Sequence, residues 1–146
     1  MTDRHIDPER ARFDAFKALP RDTVIHMLNL VRFKRAANYP ADHPLAANAL
    51  TGAEAYARYG ADSGPIFQRV GGRIMWRGTM EAMVIGPDAE HWDAIFIAEY
   101  PTSAAFMEMV TDPVYRQAVI HRQAAVETSR LIRCNPKASL SGTVFG

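Results

Sequence analysis

The chain predicts an α+β fold in which strands and helices follow one another as β-α-β-β-α-β. Two stretches carry that prediction. Residues 23–33 form the most apolar run, with both alternating faces rich in apolar side chains, as expected of a strand covered on both sides. Residues 93–134 read as a strand, two helical pieces and a returning strand, which is half of a split βαβ unit. The remaining elements supply the other half.

Taken in order, Asp7-Pro8 offers a cap and a first-turn proline, and Phe13, Phe16 and Leu19 follow on one side, so 8–18 should be a short helix ending before Pro20. In the strand at 23–33, His26, Leu28, Leu30 and Arg32 share one face, and Met27, Asn29, Val31 and Phe33 the other. His26, Asn29 and Arg32 each need a partner there, since an unpaired buried polar group costs roughly 1–3 kcal/mol. Residues 34–50 have no period and read as a long surface loop of the kind that often carries function.

Thr51 and Glu54 fit a capping box, so a helix should run over 51–70, amphipathic through Tyr56, Tyr59, Ile66 and Phe67 and bent or broken at Gly64-Pro65. Gly71-Gly72 should stop it, and 73–77 reads as a strand with Ile74 and Trp76 on one face. Gly78 marks a bulge or bend, 79–85 extends the hairpin arm, and Gly86-Pro87-Asp88 makes the turn toward a strand at 93–100. After Pro101, Thr102 and Ser103 can cap a helix over 103–110. Asp112-Pro113 starts another, expected to reach 128, before a strand over 129–134.

With the first helix set aside as an addition, this is a ferredoxin-like arrangement: an antiparallel sheet with helices on one face. The expected organisation is one domain, with 1–22 as a helical extension, 23–134 as the core and 135–146 as an arm or tail. A sheet apolar on both faces but covered by helices on one needs a second cover, which a homodimer provides most simply.

The 146 residues, 48% hydrophobic, suffice for one core, and 17 basic against 16 acidic residues argue against coating nucleic acid or an anionic membrane. The start is charged and no run approaches a membrane span, so a cytoplasmic location is expected. Cys134 is the only cysteine, which excludes an internal disulfide, and its place at the end of an apolar strand predicts a buried, inert thiol. No glycine-rich phosphate loop, nucleophile elbow or metal-ligand spacing occurs.

Tyr56-Ala-Arg-Tyr59, the 65–78 passage with Gly71-Gly72-Arg73, Trp92-Asp93, Glu99-Tyr-Pro101, Asp112-Pro-Val-Tyr115 and His121-Arg122 together resemble the DUF1330 family, over about residues 50–134 plus the run at 27–30. That resemblance implies the dimeric α/β-barrel superfamily of ferredoxin-like folds and a homodimer. It implies little about a reaction.

The helix after Pro113 holds the sharpest anomaly, because Arg122 falls near roughly 80° within an apolar stripe spanning roughly 0° to 140°. Its guanidinium must meet an internal partner, with Glu99, Asp93 or Glu81 as candidates, or an anionic ligand. His26 and His121 are candidates for proton transfer or for hydrogen-bonded core histidines. Asn29, Trp76 and His121 form a further constellation, similar by the superfamily resemblance to one in cofactor-free and haem-degrading monooxygenases. Tyr59 and Tyr115 could line a pocket and orient a ligand. The expected function is binding, or isomerase- or monooxygenase-type conversion, of an organic acid or aromatic compound between sheet and helices. Asn29, His26 and His121 are its catalytic candidates, and Arg122, Asn29, Trp76, Tyr59 and Tyr115 its ligand-binding ones, with no tightly held cofactor and no metal. A non-catalytic structural or regulatory homodimer is the alternative, and haem binding or degradation a third.

Overall fold

A computed structural model describes residues 4–137. In chain order the elements are α1 (Arg10–Ala18), β1 (Ile25–Phe33), α2 (Gly52–Arg69), β2 (Arg73–Gly78), β3 (Ala94–Tyr100), α3 (Ser103–Thr111), α4 (Pro113–Ala125) and β4 (Val126–Cys134). The four strands form an antiparallel sheet in the order β2-β3-β1-β4, which is the ferredoxin-like topology.

Local chemistry sets most boundaries. Thr51 and Glu54 form the complete capping box on α2, Thr102 caps α3 through the Ala105 amide, and Asp112 caps α4 through the Val114 and Tyr115 amides. Helix α2 continues through Pro65 to Arg69, and Gly71 follows at φ +91°, a conformation that favours glycine.

Several expectations are corrected. Helix α4 stops at Ala125, and residues 126–128 belong to β4, because Val126 and Thr128 pair with Phe33 and Arg32. Asp7 does not cap α1, which starts at Arg10 behind an uncapped Glu9; the Asp7 carboxylate accepts instead from the Gln123 amide at 3.2 Å. Residues 79–85 form no strand, and Val84 and Ile85 stand about 90% exposed. A register shift between Ile74 and Trp76 sets Ile74 opposite Ala98 but Trp76 opposite Ile97, so the two occupy opposite faces. Cys134 is exposed, because it ends an edge strand on the face that no helix covers. Residues 135–137 have no regular structure, and the rest of the expected tail lies outside the described residues.

The helices cover the face carrying Ile25, Met27, Val31 and Ala98, all buried. The other face carries one apolar row across all four strands, Trp76, Ile97, Leu28 and Ile132, matched by register, with Trp76 54% and Ile132 46% exposed. Beside it runs a polar row, Arg73, Glu99, His26 and Cys134. Ala55 on α2 and Ala124 and Ala125 on α4 are almost wholly buried, and these small side chains let helix backbones approach closely. No helix among the described residues is long and apolar enough to cross a membrane.

Candidate functional site

A cleft of ≈ 1320 Å³ lies between the helical face of the sheet and its cover. Its floor is a row fixed by strand register, Arg77, Phe96, Asn29 and Leu131. Its walls come from α2 through Tyr56, Tyr59, Ser63 and Phe67, from α4 through Tyr115 and Arg122, and from the N-terminal segment with α1.

Asn29 donates its amide to the Met27 carbonyl at 3.1 Å, which leaves its side-chain oxygen to accept a hydrogen bond from the cleft. The Tyr59 and Tyr115 hydroxyls are 2.8 Å apart. Burial pushes the Tyr115, Tyr56 and Tyr100 hydroxyls well above the usual phenol range, so at neutral pH they are protonated hydrogen-bonding groups. Arg122 donates to the Ile6 carbonyl and, at 3.1 Å, to the Ser129 hydroxyl. Both acceptors are neutral, and none of Glu99, Asp93 and Glu81 pairs with it. The guanidinium charge therefore has no carboxylate partner among the described residues.

Asn29, Tyr59, Tyr115 and Arg122 thus share one cleft, whereas Trp76, His26 and His121 do not line it. Trp76 stands on the open sheet face. His26 stands there too, its Nε2 2.8 Å from a Glu99 oxygen; the Arg73 guanidinium, bonded at 2.7 Å, and then His26 hold the Glu99 carboxyl below its ordinary range.

His121 is buried under the 34–50 loop, with Nδ1 2.6 Å from the Tyr39 hydroxyl and Nε2 3.2 Å from an Asp62 oxygen. Those partners suit a neutral ring that accepts from Tyr39 and donates to Asp62. His43 stacks on Tyr39 at 4.6 Å and both rings meet the His121 ring edge-on, so aromatic and hydrogen-bonding contacts together latch the loop onto α4. Desolvation lowers the His121 pKa, aided by His43 and Arg58 and opposed by Asp62. The unfolded chain, with a histidine pKa of about 6.5, therefore takes up the proton first as pH falls. The stability contributed by neutral His121 is complete above about pH 6.5 and is lost as pH drops through the lower folded value. Melting temperatures by circular dichroism between pH 8 and pH 5 should fall at the acid end in the parent and much less in His121→Asn; equal slopes would remove His121 as the cause.

Sequence reasoning missed Arg77, Arg133 and the N-terminal segment as cleft residues. For Arg77 the signal was hidden by the bulge, which moves it onto the Asn29 row. For Arg133, alternation from Leu131 already places the side chain on the helical face, where it stacks on Phe16 at 5.1 Å and donates to the Pro20 carbonyl. The described residues lining the cleft include nine aromatic rings and five arginines on the helical side (12, 77, 116, 122 and 133) but only three carboxylates, Asp7, Glu9 and Asp93. Arg130, opposite Leu30, turns its guanidinium to the other face over Trp92 at 5.3 Å. No group of histidine, cysteine and carboxylate side chains among the described residues could hold a metal ion.

Comparison with solved structures sets this geometry beside RPA0582, a protein of unknown function from Rhodopseudomonas palustris. It is 57% identical, with 93% of this chain and 99% of that one covered and a TM-score of 0.86. A methylated form of RPA0582 matches at 56% identity, covering 98% of this chain and all of that one, with a TM-score of 0.88. SnoaB, a cofactor-independent oxygenase from Streptomyces nogalater, is 14% identical over 82% of this chain and 98% of its own, with a TM-score of 0.52, a likeness of fold alone. No curated protein gives a significant match. Residues 44–133, most of α2 through β4 and so most of the cleft, match the model for DUF1330, a domain of unknown function, and the chain belongs to that family.

Proposed function

We propose that the protein is a homodimer that binds an anionic aromatic compound, an aryl or other organic acid, in the cleft between sheet and helices. The observation that carries this is the lining: nine aromatic rings with five arginines on the helical side against three carboxylates. Aromatic rings give a planar ligand its contact area, and the excess of guanidinium groups favours an acidic substituent. Arg122, held by neutral acceptors, keeps its charge for that substituent, while Asn29, Tyr59 and Tyr115 supply groups that orient the rest.

If the ligand is turned over, isomerase- or monooxygenase-type chemistry without a tightly held cofactor fits these side chains, because protonated tyrosines can stabilise an oxyanion. The oxygenase activity of SnoaB belongs to a protein related by fold only and names no substrate here. Haem draws no support from His26 and His121, which face away from the cleft. The assembly-only alternative draws on the open sheet face, and a dimer formed there leaves the cleft on the opposite side available to a ligand.

Calorimetric titration with 1-hydroxy-2-naphthoate and the uncharged 1-naphthol tests the reading. The naphthoate should bind at least about ten-fold more tightly, the equivalent of one charge-assisted hydrogen bond, and Asn29→Leu should weaken both compounds. Equal affinities, or no heat from either, would count against an anion site.

A further inference from the structure

We infer that the N-terminal segment, residues 4–9, is an electrostatic gate on the cleft, and that an anion in the cleft and the seated segment exclude one another at Arg122. This rests on the anion-site reading above and adds how entry is controlled.

The segment crosses from β4 to α4 as a strap. The His5 amide donates to the Thr128 hydroxyl at 3.0 Å, and the His5 carbonyl accepts from the Ser129 amide at 2.8 Å and the Ser129 hydroxyl at 2.7 Å. Arg122 then holds the Ile6 carbonyl, and Gln123 holds Asp7. Only Ile6 is partly buried, packed against the Val31 and Ala124 cluster. The Arg4–Glu127 ion pair at 3.0 Å lies on the exposed surface, where such pairs contribute little.

Seating this strap changes the charge of the cleft. It brings in Asp7 and Glu9, two of the three carboxylates that line it, with Glu9 4.0 Å from the Arg12 guanidinium, and it engages one donor nitrogen of Arg122, which has no carboxylate of its own. An incoming anion therefore meets repulsion while the strap is in place. It also offers Arg122 an ionised acceptor, which makes a shorter and stronger hydrogen bond than a neutral carbonyl. Ser129 links the two states, because its hydroxyl accepts from Arg122 while donating to the His5 carbonyl, so movement of the guanidinium toward a ligand loosens both strap contacts. By linkage, whatever weakens the seated strap tightens anion binding, by up to the same factor while the seated state predominates.

The test uses the full chain and the Asp7→Asn/Glu9→Gln double variant, in which both replaced side chains are exposed and Asn can still accept from Gln123. Titration at low salt should show 1-hydroxy-2-naphthoate binding at least about three-fold more tightly to the variant, an advantage that shrinks with added NaCl, while 1-naphthol binds both proteins alike. Hydrogen exchange on the parent should show saturating naphthoate accelerating the His5 and Ser129 amides at least about ten-fold, with β1 amides unchanged. Naphthoate that binds but slows those amides, or leaves them as they were, would overturn the gate and leave the anion site standing. An unchanged or weaker affinity in the variant would do the same. No binding by either protein would overturn the anion site and the gate with it.

Discussion

Replacing Gly52 by alanine should destabilise the protein by about 3 kcal/mol or more, at or beyond the upper end of ordinary overpacking costs. Gly52 opens α2 directly against the end of β1, and a Cβ built there would lie 1.9 Å from the Lys34 carbonyl oxygen and 2.9 Å from the Lys34 carbonyl carbon and amide nitrogen. None of these atoms can swing aside as a side chain would. The Lys34 amide is tied to the Ala125 carbonyl at 2.7 Å, and Ala36 bridges Thr51, so relief requires α2 to lift from its capping box or β1 to shift against α4. Gly60, inside the same helix, has nothing within 4 Å of its would-be Cβ. Alanine there should stabilise by up to about 1 kcal/mol, the difference in helix propensity. Urea denaturation midpoints of Gly52→Ala and Gly60→Ala should therefore move in opposite directions. A Gly52→Ala protein as stable as the parent would mean that β1 and α2 are not in the contact described. The same contact sets where Tyr56 and Tyr59 stand over the sheet, so Gly52→Ala should also weaken ligand binding by the cleft.

Leu28→Glu should convert the proposed dimer to monomers. Leu28 lies mid-row on the open sheet face, between Ile97 and Ile132 and two strands from Trp76. In a single chain its side chain is only half-buried, so a carboxylate there can stay hydrated and the fold should tolerate it. In a face-to-face dimer the same carboxylate would be desolvated beside its symmetry mate, at a cost of several kcal/mol. A penalty of about 3 kcal/mol already weakens association by more than 100-fold. Light scattering should give twice the chain mass for the parent and one chain mass for Leu28→Glu, with similar far-ultraviolet circular dichroism. A monomeric parent, or a Leu28→Glu protein that still pairs, would remove the sheet face as the interface.

By itself the sequence determined the order of the elements, because each rests on local signals: the Thr51–Glu54 box, the Asp112-Pro113 start, and the two-sided apolar pattern of β1. It also marked Asn29, Tyr59, Tyr115 and Arg122, since a polar group inside an apolar stripe announces that it needs a partner. Which partner it finds was decided only by the tertiary structure. Arg122 meets the Ile6 carbonyl, 116 residues away, because the chain start returns along β4. His121, next to Arg122 on the same helix, turns instead under the 34–50 loop toward Tyr39 and Asp62. Neighbours about 100° apart on a helix face different surroundings, and periodicity reports the angle but not what stands opposite. Trp76 shows the same limit in a strand: one bulged residue reverses the alternation, sending Trp76 to the open face and Arg77 to the cleft.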